Sequence, residues 1–542
     1  MDMKADAGCG YISICAHSGR APGAFGFSRL LRAAPVLLLL WSPPGAAADL
    51  PGLRWSSHEH LTPQALKFMD VLKDCRSLGL VPEDYGITAL AALAGHLQDA
   101  TATEAQWRDF DDRLSLAAAR LLTHLHYGRV DPTAAGFDLP ARRADLDIPA
   151  AVTALATAPD PEPVLRDVEP QFYHYTLLKA ALAQYRALAA RPALTELPPP
   201  GAKALHPGDD YAGAPALRAL LLALGDLSGA DPGASARAGG LRLDPYLVEG
   251  IKRFQQRHGL MQDGALGART FAALTTPMSA RVRQIELTLE RWRWLPRLES
   301  PPIIVNIPQF QLFAFRTTTD RLADIEQMPV IVGKSYPRTR TPVFVGTLRY
   351  VIFHPYWDIP HGITVREMLP ELRSHPDYLR RNHIEVVRGE TLAAEQEPTP
   401  ATLAGLASGR LRLRQRPGDD NALGPIKFVL PNVHDVYLHG TPAHQLFSQS
   451  RRAFSHGCIR VADPVALAAY VLRNNPGQWD AQKIMAAMQD SQTQRVTLTR
   501  PIKVMILYAT ALATEAGPVD FFDDVYGNDR RLAALLWPLT ST

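Results

Sequence analysis

Apolar and polar positions change period along this chain, and the changes divide it. Between residue 55 and about residue 195, alanine and leucine recur at helical spacing, as in "DDRLSLAAARLLTHLHYG" and "HYTLLKAALAQYRALAA", which predicts a mostly helical scaffold. Consecutive prolines in "ELPPPGAKALHPGDD" cannot continue a helix and mark a linker. A short unit follows over about 205–276. "APALRALLLALGDL" sets its apolar residues on one helical face. "LDPYLVEGIKRFQQRHGL" predicts a helix capped by Asp244, opened by Pro245 and burying Leu247, Ile251 and Phe254. "DGALGARTFAALT" predicts a glycine-punctuated loop and a third short helix, and "RQIELTLERWRWLP" reads as a helical connector carrying Trp292 and Trp294.

From residue 302 the period shortens to two. "PIIVNIPQFQLFAF" predicts a pair of strands around Pro308 and Gln309, and "MPVIVGKSYPRTRTPVFVGTLRYVIFHPYW" continues the β pattern. Residues 361–425 are charged, proline-rich and partly helical, and read as an insertion over the sheet. Strands return at "IKFVLPN" and "DVYLHG". A helix capped by Asp463 and opened by Pro464 runs to "NNPG", and "RVTLTRPIKVMILYATALAT" and "GPVDFF" supply the last strands. The expected architecture is therefore multidomain: an α-helical N-terminal scaffold over 49–200, a three-helix module over 205–276, and a β-rich domain over 280–535 with its insertion at about 361–425.

Composition narrows the class. Hydrophobic content of 46% with 20% charged residues is that of a globular protein, and 57 basic against 54 acidic residues give a net charge of +3, which does not suggest nucleic acid as a partner. At the N-terminus, "SRLLRAAPVLLLLWSPPGAAADL" has Arg29 and Arg32, an apolar core from Ala33 to Trp41, and the small residues Ala46, Ala47 and Ala48. This is the plan of a signal peptide over residues 1–48, shorter in its apolar part than a membrane span, so an exported protein is expected.

Export changes the meaning of the four cysteines. Cys9 and Cys15 precede the expected cleavage point, which leaves Cys75 and Cys458, too few for a disulfide framework. Cys75, in step with Leu72 and Leu78, reads as core packing. Cys458 stands in "FSHGCIRVADP", a polar, glycine-containing frame. No metal pair is formed with His434, His439, His444 or His456 at any familiar spacing. Burial as a small hydrophobe remains the plain alternative to a nucleophile. A thiol with a pKa of about 8.5 needs a base or a positive environment to react. His439, at the end of a strand with Gly440 behind it, can be that base. Gly457 lets backbone amides approach a carbonyl as an oxyanion hole, Arg460 can favour the thiolate or hold a carboxylate, and Arg452 is expected to pair with a neighbouring acid.

"YLHGTP" and "RAFSHGCIR", with 19 positions from His439 to Cys458, resemble the catalytic signature of L,D-transpeptidases. "ERWRWLP", "VIVGK", "RTPVF", "HPYWDIP", "LPN" and "GPVDFFDDVYG" resemble the large periplasmic branch of that family, and the unit at 205–276 resembles a peptidoglycan-binding domain. The resemblance implies Cys458 as nucleophile and His439 as general base. It implies Ser455, His456 and Gly457 as the shapers of the turn and oxyanion site, and Tyr437, Trp357 and Arg460 as substrate-binding residues, with no metal and no cofactor. It implies transfer of an acyl group from a tetrapeptide stem, through a cysteine thioester and with loss of D-alanine, to give 3→3 cross-links. The insertion is then a lid, the location is the periplasm at the cell wall, and the partners are peptidoglycan stem peptides and glycan strands, with room for association with other wall-synthesis enzymes. A hydrolase using the same thioester, or a non-catalytic wall-binding scaffold, are the competing readings.

Overall fold

Trp55, Phe68, Phe110 and Leu121 are sealed from solvent among the helices Pro63–Lys73, Ile87–His96 and Glu104–Tyr127, and form the N-terminal core. The computed structural model describes residues 54–57, 60–98, 102–140, 145–228, 240–317, 325–336, 338–393, 398–515 and 517–538. The expected export segment, with Cys9 and Cys15, lies outside these residues. Local signals start the scaffold helices: the Thr62 hydroxyl accepts from the Ala65 amide, and Thr103 and Gln106 form a reciprocal capping box. Cys75 is buried and unpaired, and burial pushes its thiol up to about 12, so it is inert packing.

The middle unit is the three-helix module that the sequence suggests, with helices Ala214–Leu224, Pro245–Arg257 and Ala268–Leu274. Asp244 accepts from the Leu247 amide, and Leu247, Ile251 and Phe254 are buried as their spacing requires.

The segment read as a helical connector is a helix, and it is also a buried junction between regions of the chain. Along helix Met278–Arg293, Trp292 and the adjoining Trp294 are buried, and Arg293 is fully enclosed. Arg293 pairs with Glu290 at 3.2 Å and donates to the scaffold at Leu78 O and Tyr175 Oη. Glu290 accepts from the amides of Arg129 and Val130. Arg291 pairs with Asp529 near the C-terminus at 2.6 Å. Tryptophan and arginine on nearly every face look like solvent-facing polarity in sequence, but here each charge has a partner from another region. Glu290→Leu, which orphans the Arg293 charge and two amides, should destabilise the chain by about 3–5 kcal/mol, read as a fall in thermal midpoint by calorimetry.

Beyond this helix a nine-stranded sheet forms the β-rich half. Its order is Ala453–Ser455, Glu326–Gly333, Ile459–Val461, Leu438–His439, Ile426–Val429, Phe344–Phe353, Gln494–Leu507, Ile303–Asn306 and Gln311–Ala314. Glu326–Gly333 also pairs with Gln311–Ala314, so the sheet closes on itself and has no free edge there. The parallel pair Leu438–His439 and Ile459–Val461 lies within it and carries both signature motifs.

The insertion is partly helical, as its sequence suggests, and also carries strands that the sequence reading did not place. It holds helices Leu369–Ser374 and Pro400–Ala407, but also a four-stranded sheet of Trp357–Asp358, Arg412–Gln415, Ile384–Arg388 and Thr391–Leu392, over a core including Leu372, Val386, Leu406 and Leu413. Alternation in "RLRLRQR" is strand periodicity with arginine on the outer face. Arg414 and Arg416 there pair with Asp358 and Glu390, and with Glu385.

Candidate active site

The site is built by strand register. His439 lies opposite Arg460 and Leu438 opposite Ile459, and the Ile459 amide donates to Tyr437 O, so Cys458 stands beside Tyr437. Side chains two positions apart share a face and register partners share it too, so Tyr437, His439, Cys458 and Arg460 all point the same way. All four line one cavity of about 530 Å³. Lys427, the register partner of His439 on the next strand, belongs to the same cluster, with its ammonium 3.8 Å from the Tyr437 ring centre.

Cys458 is half-buried and a free thiol, and its Sγ contacts Asp435 O at 3.7 Å. Burial raises the thiol above its usual range. The Tyr437 backbone and phenol and the Lys427 charge work against that rise, while Asp435 adds to it. His439 is not the accessible imidazole that its place at a strand end suggests. It is buried in the floor of the cavity, and burial, with Arg460 and Lys427 as neighbouring charges, lowers it to about 3. Its Nδ1 faces Gly440 O at 2.5 Å, which assigns the proton to Nδ1 and leaves the Nε2 lone pair. A neutral thiol and a neutral imidazole therefore share the cavity.

The turn before Cys458 is fixed from inside. The Gly457 amide donates to Ser455 Oγ at 3.1 Å, and that hydroxyl donates to Cys458 O at 2.5 Å. The Gly457 amide is thus consumed within the turn. The glycine is needed for its backbone, at φ 125°. The Cys458 amide donates to no protein acceptor among the described residues. Thr341 Oγ1 donates to Gly457 O at 2.8 Å and accepts from the Gly333 amide, and Tyr526 Oη accepts from the Thr341 amide and donates to Gly333 O. A Cβ on Gly333 would sit 1.9 Å from Thr339 O, so only glycine lets this support pack.

Trp357 is half-buried, packing on the insertion's core while lining the cavity against Tyr437. His456 meets Glu367 of the insertion at 2.8 Å, which ties the catalytic turn to the candidate lid. Arg460 lines the cavity, and its Nε has no partner. Arg338, Arg340 and Arg366 line it too, against only Asp435 and Glu367 of opposite charge. Arg452 is the one motif arginine that lies elsewhere. It donates to the carbonyls of Val330, Gln449 and Phe310 and meets no carboxylate among the described residues, because strand pairing surrounds it with backbone oxygen.

Sequence reasoning passed over Lys427, Thr341, Tyr526 and the three cavity arginines. Lys427 alone was within reach, two strand positions into "IKFVLPN" and antiparallel to "YLHG". It also missed that the scaffold reaches the rim, where Asp138 pairs with His434 at 2.8 Å. Lys427→Met keeps the length and removes the charge. It should move the alkylation midpoint of Cys458 to higher pH and lower kcat/KM at pH 7 roughly three- to tenfold, in line with about 1 kcal/mol for a screened charge pair, as read from iodoacetamide rates across pH.

Comparison with known proteins matches three regions of the chain. Residues 301–485 match the family model of the L,D-transpeptidase catalytic domain, residues 51–182 a scaffold domain, and residues 215–274 the model described as "Putative peptidoglycan binding domain". A protein of Haemophilus influenzae named "Putative L,D-transpeptidase" is 28% identical over 270 residues, which is 49% of this chain and 52% of that protein. The chain thus spans about half the length of this curated relative.

Proposed function

We propose that this chain, whose catalytic domain belongs to the L,D-transpeptidases and follows a peptidoglycan-binding module, forms 3→3 cross-links between peptidoglycan stem peptides as an exported enzyme of the cell wall. The observation that carries the reading is the single cavity in which Cys458 and His439 stand two register positions apart among four guanidiniums, since stem peptides are rich in carboxylates.

In the first step His439 Nε2 takes the Cys458 proton as sulfur attacks the carbonyl carbon between diaminopimelate and the terminal D-alanine of a tetrapeptide stem. The Cys458 amide faces the developing oxyanion. The C–N bond breaks, D-alanine leaves with the proton held on His439, and a thioester remains. In the second step the side-chain amine of a neighbouring diaminopimelate attacks the thioester. Its proton passes to His439 and then to the departing sulfur, and the new amide is the cross-link. Arg460 and Tyr437 hold the donor, Trp357 and the insertion cover it, and His456 on Glu367 keeps the cover in register with the turn. Water in place of the amine would give a tripeptide acid instead.

The export reading rests on the signal-like N-terminal pattern. The test is incubation of the protein lacking residues 1–48 with disaccharide-tetrapeptide, followed by mass spectrometry. A dimer short of one D-alanine is expected, and tripeptide as sole product would replace this reading with a carboxypeptidase.

A further inference from the structure

A second cavity, of about 540 Å³, lies between the three-helix module and the catalytic sheet, apart from the one that holds Cys458. Arg253, Gln256 and Gln262 line it from the module, and Gln309, Gln311 and Arg452 from the catalytic half. Arg257 and Asp226 meet at its base as a buried pair at 2.6 Å and so neutralise each other. Asp520 is the other acid on its wall, and Arg253 pairs loosely with the exposed Glu249 at 3.7 Å, with the charge of Asp226 also within its reach.

Arg452 is the distinctive group. A guanidinium has five N–H donors. Three bonds, to the carbonyls of Val330 at 3.2 Å, Gln449 at 2.8 Å and Phe310 at 3.0 Å, hold it in place, and its plane lies over the Phe310 ring at 5.5 Å. It meets no carboxylate among the described residues, so a half-buried cation with donors to spare faces the cavity. Such a charge, already positioned by backbone oxygens, is available to an anion that enters the cavity. The four glutamines offer paired amide donors and acceptors, which suit the groups of an extended peptide.

The position also matters. Ser450 and Arg452 line this cavity, and the strand that begins at Ala453 runs straight into the turn bearing Ser455 and Cys458. Arg269 of the module donates to Ser450 at 3.1 Å and pairs with Asp523, which joins the two walls. One short segment therefore borders both cavities.

We infer that the cavity between module and catalytic sheet is a second peptidoglycan subsite, which seats a carboxylate of a stem peptide on Arg452 and Arg253. The inference rests on the proposed function for the identity of the polymer. It adds a place where the wall is held beside, and not in, the reacting site. A carboxylate received there forms a paired, charge-assisted bond with Arg452, and peptide groups flanking it bond to the glutamine amides.

The test uses the full chain carrying Cys458→Ala, so that no turnover occurs, with disaccharide-tetrapeptide as the probe and hydrogen exchange as the readout. Slowed exchange is expected in two separate places, segment 253–262 with segment 309–311, and segment 434–440 around the reacting cavity. Adding Arg253→Glu, at the exposed rim, should raise the probe concentration needed for protection of 253–262 roughly tenfold while segment 434–440 responds as before. Arg452→Gln should do the same, and Arg253→Glu guards against its loss of three backbone bonds. Disaccharide without peptide should protect neither 253–262 nor 309–311. Protection at 434–440 alone, junction protection unchanged by Arg253→Glu, or equal protection by the bare disaccharide would each overturn the subsite while leaving the transpeptidase reading intact. Failure of that reading would show instead in the product assay.

Discussion

Cys458→Ala should reduce cross-linked product on the order of 10⁴-fold or more, because it removes the thiol of the cavity, and the Ser455 hydroxyl there is tied to Cys458 O. The effect should fall on kcat, with the donor still bound, since the guanidiniums and Tyr437 that line the cavity and are proposed to hold the stem remain. Cys75→Ala gives the contrast. Its thiol is buried in the scaffold with its pKa pushed up to about 12, so turnover should not change, whereas the cavity left behind costs stability. Product formation measured for both variants separates a reactive cysteine from a structural one. If Cys458→Ala turned over within tenfold of the parent, the acyl-enzyme route would be wrong.

His439→Gln should cost about 10²- to 10⁴-fold, the usual contribution of a positioned general base. The pH dependence sharpens this. Burial, Arg460 and Lys427 hold the parent imidazole neutral down to about 3. The parent kcat/KM should therefore stay level between about pH 5 and 8, without the rise near 6.5 that an ordinary histidine would give. The raised Cys458 thiol means that sulfur in the variant ionises only at alkaline pH. Residual activity of His439→Gln should accordingly climb with pH, toward the range where thiolate forms unaided. A parent profile rising between pH 6 and 7 would instead indicate a thiolate–imidazolium pair.

The difference between what sequence disclosed and what it did not follows from contact distance. His439 and Cys458 were legible because each lies in a short motif whose residue types have few uses. The helices of the module were legible through Asp244, Pro245 and a regular apolar stripe. Helix Met278–Arg293 misled because burial of Arg291 and Arg293 depends on Asp529, Glu290, Leu78 and Tyr175, and the far partners lie more than 100 positions away. The sheet within the insertion hid behind arginines that alternate as strand residues do, but look like a solvated charge run. Gly457 was assigned to the right turn, but the claim of the Ser455 hydroxyl on its amide was not announced by the motif. Arg452 was assigned an acid that strand pairing keeps away from it. Support for the catalytic turn from Thr341 and Tyr526 crosses 116 and 185 positions, and no local pattern announces it.

Lys427 shows the intermediate case. Its place in a strand antiparallel to the one bearing His439 was inferable, but a lysine at an alternate position of a strand commonly faces solvent. Only closure of the sheet turns that face inward and makes the charge a neighbour of Cys458.

The central claim is a covalent acyl-enzyme on Cys458, and rapid-quench intact-mass spectrometry with a tetrapeptide donor tests it most directly. The account predicts a transient adduct equal to the donor minus D-alanine, released by hydroxylamine as a thioester is, mapped to the peptide containing Cys458 and absent from Cys458→Ala. Turnover without any adduct on that peptide, or an adduct that survives in Cys458→Ala, would contradict it.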